Sequence, residues 1–185
     1  GAKGETGTYV SIGDILAVKK MPDKPMTIKS ESTYEINILY EDNWCACVLK
    51  RAGIVTKGSN KHTLESLVSR KLIISTLDDS FQTPLAVHRL DKATHGPVLF
   101  AKTTGAASGL GEAFEKRKIS KEYMAVIEGT PFIDSATIRM EINGKEAHSE
   151  IEIVGSTSWP VFGSATLVKV YPKTGRTHQI RRHLA

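Results

Sequence analysis

The sequence predicts an α+β fold, a mixed and mostly antiparallel sheet flanked by a few helices, over residues 34–185. Three observations predict it. Short segments with period-two alternation recur along the chain, as in KEYMAVIEG (121–129). Turn signals join several of them, the clearest being Asn143-Gly144 inside ATIRMEINGKEAHSEIEIV (136–154). Helical patterns are few and do not alternate strictly with the strands, which argues against a doubly wound parallel sheet.

Residues 1–33 read as an N-terminal extension and linker. YVSIGDILAV (9–18) has the pattern of two short strands about Gly13-Asp14, and KKMPDKPMTIKSEST after it is charged and carries two prolines. INILYEDNWCACVLKRAGIVTK (36–57) reads as three strands with turns at 41–43 and 50–53. TLESLVSRK (63–71) predicts a short amphipathic helix capped by Thr63, with Leu64, Leu67 and Val68 on one face. Residues 75–84 read as a polar loop, and PVLFAK (97–102) as a buried strand. A helix follows over 104–118, weakened by glycines in its first half. The strand at 121–129, the hairpin at 136–154 and a strand at 163–172 come next, and a last helix begins at Thr177.

A chain of 185 residues makes one domain, with room for a small appendage. The net charge is +5, and its distribution says more than its total. Residues 165–185 hold Lys169, Lys173, Arg176, Arg181 and Arg182 and no acid, so an anionic partner is expected, nucleic acid first. Lys116, Arg117, Lys118 and Lys121 form a second cluster, partly offset by Glu112, Glu115 and Glu122, for which a solvated face is an equal reading. No apolar run approaches the ~18 residues of a membrane span, and no secretory leader is visible. A soluble monomer without a membrane partner is therefore expected. Cys45 and Cys47 alternate along one strand with no second pair to complete a zinc site, which favours packed, reduced thiols and an intracellular setting. There is no dinucleotide or Walker glycine loop, no nucleophile elbow, and no histidine pair at helical ligand spacing. No metal and no organic cofactor are expected.

Two stretches are dense in chemistry. AVHRLDKATHGPVLFAKT (86–103) puts Asp91 on a loop between two core elements. A carboxylate there needs a cation, with Arg89 the local candidate and Arg176, Arg181 and Arg182 the remote ones. An acid held ionised serves as nucleophile or general base. A purely structural Asp–Arg bridge is the competing reading. In TGRTHQIRR (174–182), a helix starting at Thr177 offers free backbone N–H groups beside Arg176, His178 and Arg181, an anion site by type. A capped, basic surface helix competes with it. Composition alone leaves Tyr123 as an ordinary core tyrosine.

These residues also match a known pattern. HRLDKATHGPVLFAK resembles the H-R-L-D-x-x-T-S-G-x-x-x-x-A-K motif of the RluA-type pseudouridine synthases. KISKEYMAVIEG resembles their K-x-Y-x-A-x-V-x-G segment, and KTGRTHQIRRHLA their T-G-R-T-H-Q-I-R-x-H motif. ILYEDNWCACVLKRAGIVT is similar to their Y-E-D-x-x-x-x-V-x-K-P-x-G opening, so the likeness spans residues 36–185 in the family's order. The resemblance implies an RNA-modifying isomerase that turns uridine in rRNA or tRNA into its C-glycosidic isomer. It implies Asp91 as the catalytic aspartate, Tyr123 as the tyrosine packed on the target base, and Arg181 as the arginine paired with the aspartate. It further implies Ile180 as an apolar wall, Arg89 as an aid to extruding the base, and Arg176, His178 and Lys50 as substrate contacts. An RNA-binding module of the same fold without catalysis is the alternative. Three positions depart from the pattern: His95 where serine is common, Arg51 where proline is common, and Pro97 after the motif glycine. The pattern also implies further strands and a helix beyond Ala185, and VSIGDILAV resembles the closing strands of an S4 RNA-binding domain.

Overall fold

The structure, a computed structural model, describes residues 35–58, 62–160 and 163–185. The hairpin at 9–18 and the S4-like segment lie outside them. The chain divides into two units, Gly1–Leu110 and Gly111–Ala185.

The first unit is built on a four-stranded sheet of β1 (Asn37–Glu41), β2 (Cys45–Lys50), β3 (Ser80–Ala86) and β4 (Gly96–Thr103), in the order β1-β2-β4-β3. Every ladder in it is antiparallel. Alternation places Ala46, Val48 and Lys50 inward from β2, where they meet Val98 and Phe100 of β4 in the core. Asp42 makes the β1–β2 turn: its Oδ1 accepts from the N–H groups of Trp44 and Cys45 at 2.8 and 2.7 Å. Helix α1 (Leu64–Val68) starts where Thr63 Oγ1 accepts from Ser66 N–H, and it buries Leu64 and Val68.

Helix α2 (Thr104–Glu115) carries the boundary between the units. The second unit holds β5 (Tyr123–Glu128), β6 (Ser135–Ile142), β7 (Lys145–Trp159) and β8 (Gly163–Pro172), in the order β5-β8-β7-β6, again antiparallel throughout. Asn143 and Gly144 take positive φ at the β6–β7 turn, as the Asn-Gly signal requires. Helix α3 (Gln179–His183) closes the unit, and its Ile180, with the following Leu184, packs on a core of Ile151, Val168 and Val170.

Four sequence expectations need correction. Residues 54–57 are not a strand, because Gly53 turns the chain at φ +93 and the segment bonds a loop instead of a ladder. Part of the expected loop at 75–84 is β3, an edge strand, where a proline such as Pro84 is tolerated. The helices at 63–71 and 104–118 are shorter than read. The last helix begins at Gln179, because His178 adopts a left-handed conformation (φ 55). Among the described residues, no helix is long and apolar enough to cross a membrane.

Candidate active site

In the first unit the loop of residues 87–95 joins β3 to β4 and carries Asp91. Its backbone is held on both sides of that residue. Before it, the Thr56 hydroxyl donates to Leu90 C=O at 3.0 Å and accepts from Leu90 N–H at 3.1 Å. After it, Lys92 C=O accepts from Gly53 N–H at 2.7 Å and from Lys50 Nζ at 3.3 Å. Within it, Thr94 N–H donates to Asp91 C=O. His88 Nε2 accepts from Leu99 N–H at 3.0 Å, which continues the β3–β4 pairing with a ring nitrogen in place of a carbonyl. Gly96 ends the loop at φ +151, and a Cβ there would stand 3.3 Å from Leu90 Cδ1, so only glycine fits without a shift. The Asp91 side chain is half-buried and Arg89 is exposed.

Lys50 lies directly under this loop with 0% exposure. Its ammonium also donates to Arg51 C=O at 3.1 Å and Ile54 C=O at 2.8 Å. Burial pushes its pKa down, and the Asp91 carboxylate pulls it back up, so the two side chains share one electrostatic environment. The structure therefore places Lys50 as a buried tie between β2, the turn after it and the Asp91 loop.

In the second unit, Tyr123 opens β5 opposite Val170 of β8 and packs on the Ile151–Val168–Val170 core. Ile180 packs on the same core, so the structure brings these two predicted residues to one cluster. Arg181 and His178, near Ile180 in sequence, are exposed, and Arg176 is half-buried with its Nε donating to Glu146 C=O at 3.0 Å. Gln179, 96% buried, organises this segment. Its Oε1 accepts from Thr174 Oγ1 at 2.6 Å and Arg176 N–H at 3.0 Å, and its Nε2 donates to His148 C=O and Ser149 Oγ, both at 2.9 Å. Gln179 N–H donates to Arg176 C=O as well. The helix N-terminus expected as an anion site thus starts two residues late, with part of its donor set already engaged.

Lys121 bonds Thr174 C=O at 3.4 Å, and burial lowers its pKa, which removes it from the solvated cluster read from sequence. Thr56 and Gly53 hold the Asp91 loop, and the sequence carries no signal for that role. A buried threonine gives no local signal, since its hydroxyl matters only through a residue 34 positions away.

Solved structures define the class of fold first. The human RNA pseudouridylate synthase domain containing 1 protein aligns with a TM-score of 0.66 at 21% identity, covering 84% of this chain and 66% of that one. The domain containing 4 protein, also human, aligns at 0.61 and 22%. The chain belongs to the RNA pseudouridylate synthase family, whose sequence model matches residues 45–185. It is 35% identical over 179 residues to an uncharacterized RNA pseudouridine synthase of Aquifex aeolicus (strain VF5), covering 88% of this chain and 55% of that protein. It is 30% identical over 197 residues to the ribosomal large subunit pseudouridine synthase C of Haemophilus influenzae, covering 98% of this chain and 59% of that protein. A tRNA pseudouridine synthase C of Haemophilus ducreyi is 29% identical over 171 residues, with 81% and 69% covered. The chain thus spans little more than half the length of most of these relatives.

Proposed function

We propose that this protein isomerises specific uridines in RNA, rRNA or tRNA, to pseudouridine inside the cell, with Asp91 at the centre of the reaction. The observation that carries the reading is the Asp91 loop itself: the peptide groups on both sides of the acid are locked while the residue is only half-buried. Preorganisation of this kind is what a reacting group needs. Relatives acting on large-subunit rRNA and on tRNA, by their names, supply the substrate classes.

The reaction breaks the C1′–N1 bond, forms C1′–C5, removes the C5 proton and protonates N1. The product is an isomer, so no oxidant or group donor is consumed. Asp91 attacks the nucleotide or promotes glycosidic cleavage, with Arg181 as a second catalytic residue. Tyr123 packs on the everted base with Ile180 as an apolar wall. Arg89 helps extrude the base, and Arg176 and His178 contact the RNA. Lys50 contributes through the loop it ties down. Everting a stacked base costs a few kcal/mol, and cation–phosphate contacts offset it.

The test is tritium release from cellular RNA labelled with [5-³H]uridine, because isomerisation expels the C5 hydrogen. The full chain should release tritium, and Asp91→Asn should lose at least about 1,000-fold in turnover with RNA binding retained. A folded wild-type chain that binds RNA but releases nothing is the non-catalytic module, the reading that His95 and Arg51 favour.

A further inference from the structure

The hydroxyl of Thr56 has no part in the proposed chemistry, yet it bonds both backbone groups of Leu90, the residue that leads into Asp91. We infer that Thr56 is a positioning residue for the catalytic aspartate, acting as a one-atom splint on the peptide that precedes it. The inference rests on the proposed role of Asp91.

The geometry is specific. In an antiparallel ladder, a hydrogen-bonded residue gives its N–H and takes at its C=O from one partner residue. Leu90 does both with a single atom, Thr56 Oγ1, at 3.1 and 3.0 Å. A hydroxyl accepts and donates at once, whereas a carbonyl only accepts and an ammonium only donates. Leu90 is thereby held at both its N–H and its C=O without a strand beside it.

The splint is itself anchored. Thr56 is 2% exposed, and its own carbonyl accepts from Glu65 N–H at 3.2 Å, while Val55 C=O accepts from Leu64 N–H at 2.9 Å. Those donors open helix α1, whose Leu64 and Val68 are buried in the unit's core. Leu90 is fixed from its other side too, its side chain only 7% exposed and lying against Gly96. A rigid path therefore runs from the core through α1 and Thr56 to the residue before the acid. Releasing it leaves Gly53 and Lys50 holding Lys92, so the loop stays folded but loses its fix on one side of Asp91. A shift on the order of 1 Å at a reacting group costs about 100-fold in rate.

The experiment compares Thr56→Val, Thr56→Ser and Thr56→Cys in the full chain, using single-turnover tritium release and RNA affinity together. Thr56→Val should lose at least tenfold in rate with affinity within about twofold of wild type, and Thr56→Ser should keep the rate. A split between rate and affinity, rescued by serine, is not what a general loss of packing produces. Thr56→Val turning over within twofold of wild type, or Thr56→Ser falling as far as valine, overturns the inference. If the valine variant does not fold, serine against cysteine decides: a thiol bonds weakly at longer range, so cysteine should be slower, and equal rates overturn the assignment. An active wild type with a dead Asp91→Asn and an unaffected Thr56→Val sinks this inference alone. An inactive wild type sinks the proposed function and this inference with it.

Discussion

Burying an ammonium costs several kcal/mol unless its protons are engaged, and Lys50 meets that condition with the carbonyls of Arg51, Ile54 and Lys92. Lys50→Met keeps the volume and takes the ammonium away from three carbonyls, of which Lys92 C=O keeps the Gly53 N–H. It should destabilise the chain by about 2–3 kcal/mol, read as a lowered urea midpoint. His183 is a second residue whose environment sets a measurable property. It is buried, both its ring nitrogens lack partners, and burial followed by repulsion from His148 holds its pKa below 6.5. Folding therefore favours the neutral ring. The stability tied to it is present above the unfolded value and lost as pH falls through the lower folded one. The melting temperature should drop more between about pH 7 and 5 in wild type than in His183→Leu, and parallel declines would refute the account. At this scale the motif residues were legible in the sequence, but their states were not. Nothing local distinguishes a lysine that greets phosphate from one that holds three carbonyls.

Elements with a clean two-residue period were legible as well. β2, β5, β8 and the β6–β7 hairpin follow their alternation because one face of each packs inward, while β4 was legible as an apolar run and is buried on both faces along its second half. β3 was hidden because Gln82, Thr83 and Pro84 read as a loop, and its pairing to β4 skips register between Ser80 and Leu85. The sheet of the first unit also depends on one long-range tie. Lys102, 3% exposed, pairs with Glu41 at 2.8 Å and donates to Asp42 C=O at 2.6 Å. Glu41 in turn accepts from Ile73 N–H at 2.8 Å. Lys102→Met removes one partner of a largely buried pair and should cost about 3 kcal/mol or more, with an unchanged denaturant m-value. A loss under about 1 kcal/mol would place the pair among ordinary surface bridges.

For the whole molecule, the acid-free stretch at 165–185 looked like a continuous cationic face. In three dimensions Glu122 reaches Lys169 at 3.7 Å and Glu150 reaches Lys173 at 2.7 Å, so acids from elsewhere in the chain answer two of its charges. RNA affinity should fall with salt, and Arg89→Ala should reduce the slope of log K against log salt by about one. Lys173→Ala should leave the slope unchanged, and a loss there equal to that of Arg89→Ala would mean the Glu150 pair opens for RNA. The sequence by itself determined the family and most of the strand segments, because motifs and periodicity are local and travel with the chain. Tertiary structure alone decided which polar groups are spent internally, as at Lys50, Thr56, Lys121 and Gln179. Hydrogen-bond satisfaction and charge neutralisation depend on neighbours brought together by folding, and distance along the chain carries almost no information about them.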